Sequence, residues 1–580
     1  MSQIIYLSEI RHLNWLRPNQ IVTFFHNEEK WDLFNDPQPS DVIQSRIFEN
    51  CTFITAISVI AERPDILYNI FPSKEYSPEG VYRVRLYING QWKTIIVDDY
   101  LPCFVKSNQR ATAFGKRKQL WVSLIEKALA KQFGSYSMFE GGTAACLPLS
   151  ILTGSNCIWR SVPEDPDDID LFWNTLTSAK SSNFLICCDS LSESTNDALH
   201  DKGVVYDHGY SILDLNDEHN NRILLLRNPW GRFEWKGKWS TNWDGWQNSV
   251  IADKAKEDGV FWIELDDFMN EFIGVTICRV RPTWHQFRHE LIIGLDTSTV
   301  RLTVTETCEA SFAIHSERSP QLNTQADMMV SIHRISKDYV IGDMIGRSPR
   351  KYCYYKSTKE ILLTPGQYII ILFDLQNLNK TRMRRVVVCH SSKPIFHELV
   401  QQTPQMFNQA LREVILKDGD LETCSQYGIF IRFLMDNSQG MIIMADNFLQ
   451  SKYLHLSLDC SESKSVYSSR NSLETIDIIP PMSYQIITII TPILLEKKSS
   501  TRESTYNMKV RSRRFIGEDD TDDEEVVRQN LQHYPIIDPL DPIHYPQSIF
   551  YDSVPIEMPT TERKCQKRIR HFLRRCDCRI

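Results

Sequence analysis

HGYSILDL at residues 208–215 and RILLLRN at residues 222–228 decide how this chain folds and where its chemistry lies. Each is a short apolar run bounded by polar residues, strand-sized rather than helix-sized. Tyr210–Leu215 and Arg222–Arg227 are therefore read as buried strands. His208 stands at the start of the first and Asn228 follows the second, so two neighbouring strands present a histidine and an asparagine side by side. Upstream, Phe48–Glu62 has helical spacing, with Phe53, Ile57 and Ile60 on one face, Asn50 as the expected N-cap and Pro64 as the stop. Cys51 thus falls in the first turn of an apolar helix, where the helix dipole favours thiolate and lowers the pKa.

A thiolate, an imidazole to take and return its proton, and a third group to fix the imidazole tautomer make up a cysteine hydrolase. Taken singly, the three residues have blander readings. A cysteine before an apolar helix is more often core filler, a His-Gly pair a surface turn, and Asn-Pro a turn starter. Type, chain order and secondary-structure context agree only for the set.

The chain has 580 residues, too many for one core, so three or four domains are expected. With 42% hydrophobic and 24% charged residues it has the composition of a soluble globular protein. A net charge of −8 argues against nucleic-acid binding, which needs a basic surface. Met1–Glu9 lacks the basic and apolar regions of a signal peptide, and no apolar run approaches the ~20 residues of a spanning helix. The 15 cysteines are scattered and odd in number, which suits reduced thiols and a cytoplasmic location.

Along the chain, residues 1–282 mix helix and strand signals, with lobes at about 1–150 and 151–282. Gly80–Leu86 and Trp92–Val97 flank Asn89-Gly90, a hairpin signal, and Leu120–Phe133 is a second helix ending at Gly134. Residues 283–400 read as a β-sandwich, with strands at Val300–Thr305, Met329–Ile335, Tyr368–Phe373 and Val386–Cys389. Residues 401–496 form a second β-rich domain, with strands at Gly428–Leu434, Met441–Ala445, Tyr453–Leu458 and Gln485–Thr491. Residues 497–580 carry the acidic run 518–525, the basic run 564–575 and frequent prolines, and are expected to be a disordered tail. A basic amphipathic helix contacting a membrane or a partner is the minority reading of its end.

The order Cys51, His208, Asn228 is that of the papain family. Leu226–Ser240, LRNPWGRFEWKGKWS, resembles the asparagine motif of the calpain family of cysteine proteases. Trp121–Tyr136, WVSLIEKALAKQFGSY, Val97–Pro102 and His208–Ser211 resemble other calpain motifs, with Gly209 where alanine is usual. Asn14–Pro18, Ala61–Asp65, Gly259–Trp262 and the pattern across Tyr453–Pro481 resemble the small-optic-lobes type, without the zinc fingers that usually precede it. The resemblance covers residues 12–495. It implies an α+β fold, a two-lobed papain-like core followed by β-sandwich-like domains. It also implies a Cys51–His208–Asn228 triad, Trp230 as a wedge between the two halves, and limited proteolysis of protein substrates.

The sequence departs from the family in two places. The family's oxyanion glutamine matches Gln44, which lies one residue too far from Cys51, and both glycines of that run are replaced. Gln44 and the Cys51 N–H remain the implied oxyanion donors. Conventional calpains hold two calcium ions in the core. Asp41 and Asp258 are the matching carboxylates here, whereas Cys146 and Val260 replace glutamates and no EF-hand loop occurs. The calcium sites read as degraded, and no cofactor is expected to be required. The rival to a protease is a calpain-like scaffold with impaired chemistry; a transglutaminase-like enzyme is disfavoured because its third residue is usually an aspartate.

Overall fold

In the computed structural model the described residues are 13–23, 30–44, 47–48, 50–136, 145–191, 202–218, 221–246, 251–293, 297–316, 326–353, 355–375, 383–424, 428–435, 440–493, 509–516, 533–541 and 543–549. The fold is mixed α+β, and it divides between Trp284 and His285 into two compact units.

In the first unit, the helix Cys51–Ile60 is buried along its whole length. Pro64, expected to stop it, instead opens the next helix, Pro64–Ile70, because proline at the first helical position loses no hydrogen bond. Asn89 and Gly90 both take positive φ, 50° and 77°, and close the hairpin of Val81–Ile88 with Gln91–Asp98. Helix Trp121–Phe133 ends on Gly134 in the left-handed region. A six-stranded antiparallel sheet follows, ordered Val260–Glu264, Asn221–Arg227, Gly209–Glu218, Leu185–Ser190, Phe272–Cys278, Cys157–Ser161. The two strands expected from the sequence are its second and third members. Their apolar side chains Tyr210, Ile212, Leu224 and Leu226 enter one core cluster with Phe172, Phe261 and Phe272.

The second unit holds two stacked pairs of sheets. Five- and six-stranded sheets enclose a core that includes Val300, Phe312, Val330, Ile370 and Val387. Another pair encloses Ile431, Ile443, Leu456 and Ile487. Helix Pro404–Asp418, capped by the Thr403 hydroxyl on the Met406 N–H, lies among residues of both. Phe407, Leu411 and Val414 share a cluster with Ile369 and Phe373 on one side and Ile442 and Ile486 on the other.

The expected disordered tail from 497 is corrected over two stretches. Lys509–Ile516 is a strand paired with Tyr453–Asp459. Residues 533–549 pack on the same unit, with Ile537, Ile543 and Ile549 buried. His533 Nδ1 meets Asp477 Oδ1 at 3.0 Å, and Gln547–Ser548 pairs with Ser483–Tyr484. Proline and charge dominate the local composition, but a few isoleucines find an existing apolar surface, which composition cannot reveal. The runs 518–525 and 564–575 lie outside the described residues. A chain shortened to residue 496 should therefore show a lower-temperature unfolding transition for the second unit by calorimetry. An unchanged transition would mean that the 509–549 segments add no stability.

Candidate functional site

Three segments converge at the start of the Cys51–Ile60 helix. Asn50 occupies the N-cap position, but its side chain does not cap the helix. Its Nδ2 donates instead to Glu126 Oε1 at 2.8 Å, and Glu126 Oε2 accepts the Ala113 N–H at 2.9 Å. Burial pushes the Glu126 carboxyl up to about 7, against the pull of these two donors. The sequence reading missed Glu126; a carboxylate between Ile125 and Ala128–Leu129 on an apolar helix was the available signal.

Cys51 is 8% exposed, and its thiol faces the Asp207 carbonyl oxygen at 3.9 Å. Burial raises the thiol above its ordinary pKa; the N–H groups of Gly209, Thr52 and Cys51 itself act in the opposite direction. The expectation of a lowered pKa is thus reversed, because desolvation of a thiolate outweighs the field of the helix end in this arrangement.

His208 precedes the Gly209–Glu218 strand, and its Nε2 meets Asn228 Oδ1 at 2.9 Å. The same oxygen accepts the Trp230 N–H at 3.0 Å, while Asn228 Nδ2 donates to the Phe233 carbonyl at 3.3 Å. A main-chain N–H needs an oxygen and a carbonyl needs an NH₂, so the amide has one consistent orientation. Nε2 then carries the proton, and Nδ1 keeps the lone pair. Burial lowers His208 to about 4, and the Asn228 bond opposes that shift. The ring is therefore neutral at neutral pH. Among the described residues, no hydrogen bond joins the Cys51 thiol to this ring.

Trp230 lies against His208 with ring centroids 4.5 Å apart. Its Nε1 donates to Gln44 Oε1 at 2.9 Å. Gln44 Nε2 donates to the Phe48 carbonyl at 3.3 Å, and the Gln44 N–H reaches the Pro229 carbonyl at 3.4 Å. Gln44 therefore joins the same cluster as His208 and Asn228 despite the extra residue before Cys51. Ser45, Arg46 and Glu49 lie outside the described residues. At Gly209 an added Cβ would fall 2.9 Å from Thr55 Oγ1, so glycine lets this strand lie close against the helix.

Arg227 was also missed. Its guanidinium is fully buried; Nη1 donates to Ser58 Oγ at 2.9 Å and Nη2 to the Val42 carbonyl at 2.9 Å. It connects the strand that leads into Asn228 to the helix of Cys51 and to the segment leading into Gln44.

The calcium candidates have other partners. Asp41 is buried, and both its oxygens are taken: Oδ1 by Arg117 Nε at 3.0 Å, Oδ2 by Arg117 Nη2, by Gln119 Nε2 at 2.9 Å and by the Gln38 N–H at 2.8 Å. Asp258 is 76% exposed and pairs with Lys116 at 3.5 Å. Cys146 opens the helix Cys146–Thr153 and faces Thr276 Oγ1 at 3.8 Å, while Val260 is buried in its strand. Among the described residues, no three His, Cys, Asp or Glu gather as a metal site. Calcium takes six to eight oxygens, and the donor set around Asp41 is of N–H groups, so the described residues around Asp41 do not fit that ion.

Residues 2–279 match the calpain family cysteine protease model, and residues 414–514 match the calpain-D-like C-terminal domain. By that match, residues 2–279 are a domain of the calpain family of cysteine proteases. The chain is 34% identical over 281 residues to the calpain-type cysteine protease DEK1 of Arabidopsis thaliana, covering 46% of this chain and 13% of that protein. It is 27% identical over 290 residues to Calpain-A of Drosophila melanogaster, covering 47% and 34% respectively. Mouse Calpain-12 is 30% identical over 290 residues, 47% of this chain and 38% of its own length. The matched region thus spans well under half of each of these relatives.

Glu126 supplies a pH test of the site's buried carboxylate. Its ordinary value is 4.5 and its folded value about 7. Between those values the folded chain keeps a proton that the unfolded chain has released, so stability falls as pH rises through this window. Glu126→Gln should remove that slope. Urea midpoints of wild type and variant should shift in the variant's favour as pH is raised from about 4.5 to about 7; a pH-independent difference would contradict the assignment.

Proposed function

We propose that this chain is a cytoplasmic cysteine endopeptidase that performs limited proteolysis of proteins, using Cys51, His208 and Asn228 in a two-lobed papain-like core. The observation that carries the proposal is the tautomer: Asn228 holds the His208 Nε2 proton and leaves Nδ1 as a base. In the reaction His208 Nδ1 takes the Cys51 proton, and the thiolate attacks the scissile carbonyl. The oxyanion forms against the Cys51 N–H and a Gln44 amide hydrogen. The imidazolium then protonates the leaving amine, and water, deprotonated by His208, releases the acid from the thioester. Trp230, packed on His208, shields the His208–Asn228 bond from water. The Calpain-D-like match over 414–514 is the observation behind an assignment to the small-optic-lobes type.

A calpain-like scaffold is the second reading, favoured by one observation. The Cys51 thiol is raised and faces Asp207 rather than the His208 ring, so proton transfer requires the thiol to turn toward Nδ1. Labelling of Cys51 by a thiol-directed activity probe separates the two. A turnover-competent enzyme is labelled at Cys51, and a scaffold is not.

Cys51→Ala should abolish peptide hydrolysis and probe labelling while the fold is retained by circular dichroism. Gln44→Ala should lower kcat by about 10²–10³-fold. Full hydrolysis by Cys51→Ala would overturn the nucleophile, and an unchanged kcat in Gln44→Ala would remove that residue from the oxyanion site.

We further propose that the core needs no calcium, because Arg117 and Lys116 already neutralise Asp41 and Asp258. Hydrolysis by the full chain should be the same with chelator as with added calcium, and calorimetric titration should show no binding in the micromolar range of sensor sites. Tight binding of two ions would overturn this.

A further inference from the structure

The segment that delivers Gln44 is held from one side by a single turn. Pro39–Asp41 runs into Val42–Ile43, which pairs with Phe114–Gly115, and the Lys116 N–H donates to the Asp41 carbonyl at 2.8 Å. Past Gly115, Arg117 and Lys118 both take left-handed φ, 53° and 52°. Residues with a Cβ enter that region at a cost, so two in succession mark a turn whose shape is enforced by its contacts. What the turn achieves is the placement of one guanidinium. Arg117 grips both oxygens of Asp41 and also donates to the Asp36 carbonyl at 2.7 Å. Gln119 completes the clamp, with Nε2 on Asp41 and Oε1 accepting from the Asn35 N–H and the Trp121 indole.

This is more than a surface ion pair. Asp41 is 3% exposed, and a buried carboxylate that loses its cation is left short of donors at a cost a surface pair never carries. Three residues beyond Asp41 stands Gln44, whose amide meets Trp230 over the His208–Asn228 pair.

We propose that Arg117 is a tethered cation: its guanidinium neutralises the buried Asp41 carboxylate and acts as a positioning residue that holds segment 36–43 so that Gln44 is set for the oxyanion. The catalytic half of this rests on the protease assignment; the structural half does not. Arg117 touches no reacting atom. Its charge is supplied by the chain, so the Gln44 segment is ordered without any soluble cation. Arg117 is 24% exposed, so removing its side chain opens the Asp41 carboxylate toward solvent.

The test uses the full-length chain and Arg117→Ala. By hydrogen–deuterium exchange, peptides covering 36–44 should exchange at least about tenfold faster in the variant, and millimolar guanidinium or methylammonium chloride should restore protection. Wild type should respond to neither salt. kcat should fall by about 10²-fold with KM little changed, as for loss of an oxyanion donor, and recover with the same cation. Arg117→Lys keeps the charge without the two-pronged fork and should fall between the two; it also serves if Arg117→Ala does not fold. Unchanged exchange in 36–44 overturns the proposal, as does faster exchange that neither cation reverses, which would make the side chain's role one of packing. Faster exchange with an unchanged kcat removes the link to Gln44. If wild type itself shows no Cys51-dependent hydrolysis, the protease assignment fails, while the exchange measurements still decide whether Arg117 is the cation that orders the segment.

Discussion

One buried guanidinium holds the site of this chain together. Arg227 has no carboxylate partner among the described residues and spends its hydrogen bonds on Ser58 Oγ and the Val42 carbonyl. Burial lowers it only to about 10, so it stays charged at neutral pH. A cation buried without a counter-ion is expensive, and what it joins is the informative part. The strand that leads into Asn228, the helix starting at Cys51 and the segment leading to Gln44 meet at this one side chain. Ser58 passes the connection on by donating to the Pro39 carbonyl at 3.0 Å. The relative placement of Cys51, Asn228 and Gln44 is therefore set by directional bonds as well as by apolar packing, which alone tolerates small slips.

Desolvation governs the chemistry of the cluster. Cys51, His208, Asn228 and Gln44 are all nearly inaccessible, and burial is the largest influence on both the thiol and the imidazole. It favours the neutral form of each. The cluster thus rests with a neutral thiol facing the Asp207 carbonyl and a neutral imidazole with its lone pair on Nδ1. Trp230 contributes to this by covering the His208 ring while its indole N–H fixes the Gln44 amide. The same residue therefore covers the imidazole and orients the Gln44 amide.

The second unit is built on a different principle, with a helix inserted between sheet pairs. Met406, Phe407, Ala410, Leu411, Val414 and Ile415 recur at helical spacing, and Thr403-Pro404 is a helix start. That signal was present in the sequence but was overlooked among strands. The same unit holds buried ion pairs, Arg350 with Asp327 and Arg470 with Asp477. Asp477 also accepts from Gln485 Nε2 at 2.8 Å and meets His533, so one carboxylate anchors residues far apart in the chain.

The sequence alone determined the elements whose signal is local. The hairpin at Asn89-Gly90, the helix closed by Gly134, the strands flanking His208 and Asn228 and the helix behind Cys51 are all fixed by turn chemistry and periodicity within a dozen residues. The motifs around Asn228 and Trp121 pointed to the family that the comparisons show. Tertiary structure decided what depends on a partner distant in sequence. Asn50 looked like a helix cap, yet Glu126, 76 residues on, takes its amide. Gln44 was out of register by count, but is carried to Trp230, 186 residues away. Asp41, a calcium candidate by its motif, is met by Arg117, 76 residues on. Isoleucines in a proline-rich tail found a surface to bury against. In each case the side chain's chemistry was legible, while its partner was chosen by the fold, because hydrogen bonds and burial depend on proximity in space and a linear pattern carries only proximity along the chain.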